Sequence, residues 1–382
     1  MNILMLRTNG CAPDPRVEKE VSSLISGPGN SVMVLCWDRD GRKGTFAEFL
    51  RVANGTVPIL RFGIPASWGG GMRVNFFPML VFEWKLFWWL ITHRKDYDVI
   101  HACDLLTGLP AWLPCRLFRK KLVYDIFDFY AATQSGPKYL LELFRKLEYA
   151  VIGSADATII CSEKRRQQIA GSKPKRLVVL HNAPSQRQVP LMDEPSPILQ
   201  GDGKRIRIVY VGNLVEDRFL LKALACAEML PEFEFHIGGF GVLEEKIRRL
   251  AVEQDNIFFY GRMPYADVLK LERQCHIMLA LYDPAVPNHK YAAPNKFYEA
   301  LALGKPLVMF RETGMADIVE QRQIGVVCDP TEDDLYHAFR QLLLNREEFD
   351  RMGETMRRLF RENYTWDIMH QRLLDLYENL YE

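Results

Sequence analysis

Short apolar runs bounded by turn residues alternate with helical patterns along nearly the whole chain, and they do so in two separate series. The first series has runs at 3–6, 32–36, 99–102, 122–124, 158–161 and 177–180; the second has them at 206–211, 234–237, 257–260, 277–281, 306–310 and 326–328. Runs this short and this uniformly apolar suit strands covered on both faces, as in a parallel sheet between two helical layers. The expected fold class is therefore α/β, with two Rossmann-like, doubly wound parallel-sheet domains. A length of 382 residues agrees, because it exceeds what one ordinary core holds.

Between the series, residues 184–204 carry Pro190, Pro195, Pro197, Gly201 and Gly203 with little apolar periodicity, as a linker does. Domains are thus expected at 1–183 and 205–360, and beyond about residue 331 the pattern stays helical to the end.

Hydrophobic residues at 48% exclude a disordered chain, and 49 basic against 48 acidic side chains leave no global field to attract nucleic acid. The eight cysteines are scattered, with no Cys-x-x-Cys pair and no histidine clustering of metal-ligand spacing, so buried reduced thiols are expected. Residues 1–10 look like a strand rather than a signal peptide, which points to the cytoplasm.

The segment Pro294-Asn295-Lys296-Phe297-Tyr298-Glu299 leads through Gly304-Lys305-Pro306 into the apolar run at 307–310. It reads as a loop, a short helix, a glycine stop and a buried strand. Glu299 near the helix start suits the paired hydroxyls of a ribose, or simply caps a surface helix; Lys296 and the free backbone N–H groups suit phosphate oxygens. Gly238-Gly239-Phe240-Gly241 lies between a strand and a helix, where it either brings backbone close to a ligand or makes a tight turn. Asp104 and Asp128 end strands and are placed to receive or orient a hydroxyl proton. Arg16 reads equally as a phosphate ligand and as the helical partner of Glu20, and His101 stands on a strand.

These segments resemble, in order and spacing, the retaining GT-B glycosyltransferases of family four. The matching stretches are Asp14-Pro15-Arg16-Val17, Asp98 to Asp104, Leu122-Val123-Tyr124-Asp125, His181-Asn182-Ala183-Pro184, Val211-Gly212-Asn213-Leu214, Gly238 to Glu245 and Pro294 to Pro306. The resemblance implies a GT-B fold whose last helix, 361–382, crosses back onto an acceptor-binding N-terminal domain. It also implies transfer of a sugar from a nucleoside diphosphate, UDP being expected, to a glycan or lipid-linked glycan, with no cofactor and no metal. On this basis the donor is held by Gly239, Gly241, Arg262, Asn295, Lys296 and Glu299. Catalytic roles fall to Asp104, Asp128, Arg218 and Lys296, and the acceptor side to Arg16 and His101.

The chain departs from the family pattern at three places. Asn213 replaces an arginine after Val-Gly, Phe127 replaces a histidine, and Tyr291 replaces the first of two carboxylates, with Asp283, Asn288 and His289 nearby. These departures motivate a second reading, a non-catalytic glycan- or nucleotide-binding scaffold, and the same two-domain plan also suits a nucleotide-sugar epimerase or hydrolase.

Residues 74–92 are unusually aromatic, but Glu83 and Lys85 at their centre argue against a membrane span. They read as a buried crossover helix or as one partly seated in a lipid interface, with Lys85, His93, Arg94 and Lys95 to serve the second arrangement. The second would give the N-terminal domain a peripheral contact at the inner face of a membrane.

Overall fold

The computed structural model describes all residues except 41, 68–70, 135, 186–198, 202 and 382, and gives backbone only at 71–73. Most of the linker read at 184–204 therefore lies outside the described residues. The chain divides into two compact units, Met1–His181 with Met369–Glu382, and Asn182–Ile368.

In the first unit the strands are β1 (Asn2–Arg7), β2 (Ser31–Asp38), β3 (Gly44–Val52), β4 (Gly55–Gly63), β5 (Val99–Cys103), β6 (Lys121–Ile126), β7 (Ala157–Ile160) and β8 (Leu177–Val179). Its helices are α1 (Pro15–Ser26), α2 (Gly71–Thr92), α3 (Leu105–Leu117), α4 (Tyr130–Thr133), α5 (Lys138–Ser154) and α6 (Arg165–Gln168). The sheet order is β3-β4-β2-β1-β5-β6-β7-β8, parallel except for the β3–β4 hairpin. That hairpin is absent from the expected series because β3 is an edge strand exposed along most of its length, so it has no apolar run to read.

The second unit contains β9 (Ile206–Asn213), α7 (Leu220–Ala225), β10 (Phe233–Phe240), α8 (Glu244–Glu253), β11 (Ile257–Gly261), α9 (Tyr265–Gln274), β12 (Ile277–Ala280) and α10 (Asn295–Leu303). It continues with β13 (Leu307–Phe310), α11 (Ala316–Arg322), β14 (Gly325–Cys328), α12 (Glu332–Leu344), α13 (Phe349–Asn363) and α14 (Trp366–Glu378), whose larger part belongs to the first unit. Its all-parallel order is β11-β10-β9-β12-β13-β14, so the strand sequence reverses direction between β9 and β12. In such sheets the ligand crevice opens at the carboxyl ends of the strands flanking that reversal.

Both faces of this sheet are covered, as the apolar runs require. Ile208 and Tyr210 of β9 pack in one core with Phe339 of α12, whereas Val209 and Val211 join a second core with Phe297 and Leu301 of α10 and Met356 of α13. Gly304 ends α10 at φ 68°, and a Cβ there would stand 2.9 Å from the Gly353 carbonyl oxygen. Glycine thus provides both the left-handed stop and the close seat of α13.

Polar contacts tie the Met369–Glu382 stretch into the first unit. The Arg372 guanidinium donates to the Val179 carbonyl at 3.0 Å, Arg176 donates to the Asn379 carbonyl at 2.7 Å, and Tyr377 Oη lies 2.8 Å from His101 Nδ1. All eight cysteines are buried and free of disulfides.

Of the two readings of 74–92, the structure departs from the buried crossover helix. Phe82, Leu86 and Leu90 of α2 are fully covered, but Phe77, Val81, Trp84 and Trp88, at helical spacing on the other side, are 76%, 45%, 64% and 46% exposed. By length and composition Val74–Thr92 is apolar enough to cross a membrane. Here it lies on the sheet with one face uncovered.

Candidate donor and acceptor sites

In the second unit the site gathers at the strand reversal. Tyr210 at the end of β9 donates its hydroxyl to the Asn213 carbonyl at 2.8 Å, and Lys296 Nζ lies 4.7 Å from the Tyr210 ring centroid. Lys296, second residue of α10, can rest there because position 212 has no side chain: a Cβ on Gly212 would stand 2.7 Å from its Nζ. Burial works against the lysine's charge, yet its pKa is raised, because Tyr210, Tyr282, Glu299 and Glu272 favour the cation. One helical turn on, Glu299 is only 4% exposed and accepts a hydrogen bond from Tyr265 Oη at 3.0 Å.

Arg218 follows β9 and turns towards the same tyrosines. Its guanidinium lies 4.1 Å from the Tyr282 ring centroid, pairs with Asp217 at 2.9 Å and is 3.4 Å from His289 Nε2. Burial lowers the His289 pKa, and its Nδ1 lies 2.9 Å from the Asp283 carbonyl. A neutral ring donating from Nδ1 leaves Nε2 free to accept from Arg218. Lys222, on α7 just beyond, turns away and donates to the Pro330 carbonyl at 3.1 Å.

The glycine loop is packed against the end of β9. Gly239 has φ 125° and Gly241 φ 150°; a Cβ on the first would fall 1.8 Å from Gly212 O, and on the second 2.4 Å from Leu214 O. The glycines thus bring two backbones together beside Lys296. Arg262 is exposed, with its guanidinium 4.9 Å from the Phe240 ring centroid. Asn295, also exposed, accepts from the Asn182 side chain at 2.9 Å, which ties the 182–184 segment to the start of α10.

Sequence reasoning missed Tyr265 and Glu272. They stand seven residues apart on α9, hence on one face, and that spacing was the available signal. Glu272 is fully buried, neither of its oxygens has a hydrogen-bond partner among the described residues, and burial together with Glu299 raises its pKa despite Lys296.

In the first unit the carboxyl ends of β1, β5 and β6 meet. Arg7 Nε pairs with Asp14 at 2.8 Å, and Arg7 Nη1 pairs with Asp104 at 2.7 Å. The other Asp104 oxygen accepts from the backbone N–H groups of Phe127 (2.9 Å) and Asp128 (3.1 Å). Burial lifts the Asp104 pKa to about 6 against the pull of Arg7. Asp104 therefore braces the 127–128 loop rather than presenting a free carboxylate. Asp128, by contrast, has a side chain 59% exposed, 3.9 Å from Arg165.

Arg16 and His101 need correcting in the same sense. Arg16 bonds Glu20 at 2.8 Å and both Asp125 oxygens at 2.7 and 2.9 Å, and is 5% exposed, so the helical pairing holds and no free guanidinium faces a phosphate. His101, with no exposure, sits between Tyr377, Asp125 and Glu20 and has no face open to an acceptor. Both Arg7 and Arg16 place their guanidinium carbons 4.1 Å from the Phe127 ring centroid, which gives a packing reason for phenylalanine in the family's histidine place. Glu20, His101 and Asp125 also form a group of metal-ligand type among the described residues, but the Arg16 guanidinium already supplies its positive charge.

Known proteins resemble the chain in sequence and in fold. Residues 193–359 match the model for glycosyl transferases group 1, and residues 23–183 match a glycosyl transferase 4-like domain. The chain is 30% identical over 152 residues to O-antigen chain mannosyltransferase C of Escherichia coli, a stretch that is 38% of this chain and 39% of that relative. The match to spore coat protein SA of Bacillus subtilis likewise spans only 33% of that protein. Sucrose-phosphate synthase from Thermosynechococcus elongatus has the same fold, with TM-score 0.76, 15% identity and coverage of 100% of this chain and 99% of that one. The Anabaena protein HepE, solved in complex with UDP, gives TM-score 0.69 at 14% identity over 99% of this chain and 100% of that one. With the two family models together spanning most of its length, the chain belongs to the group 1 glycosyl transferases and has the GT-B fold.

Proposed function

We propose that this protein is a retaining glycosyltransferase that moves a sugar from a UDP-sugar to a glycan or lipid-linked glycan without a metal ion. The observation that carries the reading is the convergence of Lys296 and Arg218 on Tyr210 and Tyr282, with Glu299 one turn beyond Lys296. Two fixed cations suit a departing diphosphate, whose growing charge is the main obstacle to transfer. Glu299, held on one oxygen by Tyr265, has acceptor capacity left for ribose hydroxyls. In retaining transfer the sugar–phosphate bond breaks, the acceptor oxygen bonds the same carbon on the face being vacated, and the acceptor proton passes to the departing phosphate. In this reading Asp128 orients that acceptor hydroxyl, a role its exposed side chain supports. A cytoplasmic enzyme resting one side of its first unit on a membrane would meet a lipid-linked acceptor, and the uncovered face of α2 supports such contact.

The test is thermal stabilisation by UDP, GDP, ADP and dTDP and their sugars, with turnover measured with and without EDTA. Ligand that binds only the folded state raises its apparent stability. A shift selective for UDP species, lost in Glu299→Ala, and EDTA-resistant turnover are expected. No shift with any nucleotide would favour the scaffold reading, and release of an altered free sugar without acceptor would favour the epimerase or hydrolase.

A further inference from the structure

At the end of the first unit opposite its carboxyl-edge cluster, α3 and α5 run out and β6 begins. A cleft of about 490 Å³ opens there, lined among others by Trp112, Arg116, Arg119, Lys120, Lys121 and Lys175. Five cations face one carboxylate, Asp156, in a chain whose overall charge is only +1. Asp156 is shared by Lys121 at 3.4 Å and Lys175 at 4.0 Å, while Lys120 is held by the Tyr97 carbonyl at 2.5 Å. Arg116 and Arg119 are exposed and make no ion pair or hydrogen bond among the described residues. Trp112 lines the cleft beside them, its indole N–H buried and without an acceptor among the described residues. Arg119 holds a left-handed backbone at φ 54°, unusual for a long side chain.

The cleft adjoins an apolar surface. On α3, Leu113 and Leu117 are 54% and 64% exposed, one residue along from Trp112 and Arg116 respectively. Helix α2 packs beside α3, and the Arg94 guanidinium lies 5.3 Å from the Phe118 ring centroid, so both helices end at this same place. Exposed tryptophans flanked by arginine and lysine form the side-chain set that seats at the boundary between acyl chains and head groups.

We infer that this cleft takes the phosphate of an anionic phospholipid head group, while Leu113, Leu117 and the Trp84–Trp88 face of α2 enter the edge of the acyl layer. The inference rests on the peripheral membrane contact proposed above and names what that contact recognises. Phosphate fits because Arg116 and Arg119 offer forked donors, and the apolar rim places them at a lipid surface rather than in open solvent.

The test is co-sedimentation of the full chain with vesicles of phosphatidylcholine alone or mixed with phosphatidylglycerol, using wild type, Arg116→Glu/Arg119→Glu and Trp84→Ser/Trp88→Ser. Wild type is expected to bind only the anionic vesicles. The charge-reversed pair should lose at least about tenfold in binding, the tryptophan pair should also weaken, and both should keep the thermal shift with UDP. Equal binding of the charge-reversed pair and wild type, or no vesicle binding by wild type, overturns the inference. Stabilisation of wild type by glycerol phosphate that anionic vesicles do not compete away would assign the cleft to a soluble phosphate compound and overturn it too. A missing UDP shift in wild type would instead sink the donor-site reading, which keeps the two failures apart.

Discussion

The Lys296 ammonium occupies the space that a side chain at Gly212 would need: a Cβ there would lie 2.7 Å from Nζ and 3.4 Å from Cε. In Gly212→Ala the obstacle is the far end of a flexible lysine, so the fold should lose no more than about 1 kcal/mol while turnover falls roughly 10- to 100-fold. Gly239→Ala should behave in the opposite way, since its Cβ would strike backbone 1.8 Å away at Gly212 O; a loss of at least about 2 kcal/mol is expected. Denaturant midpoints and kcat/KM on the two variants check both.

Tyr265→Phe removes the hydroxyl that holds Glu299 Oε1 and leaves the fold otherwise intact. The expected result is a rise of about fivefold in the donor KM with little change in kcat, because a positioning bond worth about 1 kcal/mol is lost. A fall in kcat at unchanged KM would count against Glu299 as a donor-binding group.

Asp104 and Asp128 should separate cleanly. Asp104→Ala leaves Arg7 and two backbone N–H groups without their acceptor and should destabilise by about 3 kcal/mol. Asp128→Ala touches an exposed side chain and should stay within about 0.5 kcal/mol of wild type while lowering kcat/KM for the acceptor. Thermal unfolding and acceptor-saturation kinetics decide.

Glu148 gives a pH signature. It accepts from Tyr124 Oη at 2.8 Å and Tyr130 N at 3.0 Å, and burial pushes its pKa up to about 8. An unfolded glutamate titrates near about 4.3, so between there and about 8 the folded chain binds more protons than the unfolded one. This contribution is complete below about 4.3 and declines as pH rises through the window, by a few kcal/mol in all. Glu148→Gln should flatten that decline; an unchanged slope of stability against pH between 5 and 8, read to about 0.5 kcal/mol, would place the proton elsewhere.

Much of this architecture was legible because strands buried on both faces announce themselves as unbroken apolar runs, as at 206–211 and 277–281. The β3–β4 hairpin was hidden by its exposure, and its two turn residues, Ala53 and Asn54, stand one position ahead of the Asn-Gly pair that signals such a turn. On α2, apolar on every side, no periodicity could say which half the sheet covers. In the candidate site, Lys296 and Glu299 were readable because both lie in one contiguous motif. Tyr265 and Glu272 were not, since they reach that motif from another helix. Arg16 kept two readings open, and His101 an acceptor-side role, until the fold closed around them: their surroundings depend on Asp125 and Tyr377, distant in the chain.

The first unit is built from two stretches of the chain separated by the second unit, and this bears on its order of assembly during synthesis. Residues 1–181 leave the ribosome first, yet the hydroxyl for His101 and the guanidinium for Val179 come from Tyr377 and Arg372. Asn182–Ile368 is complete before either has been made. A nascent chain should therefore finish its second unit while the first still waits, half-sealed, for its closing helix.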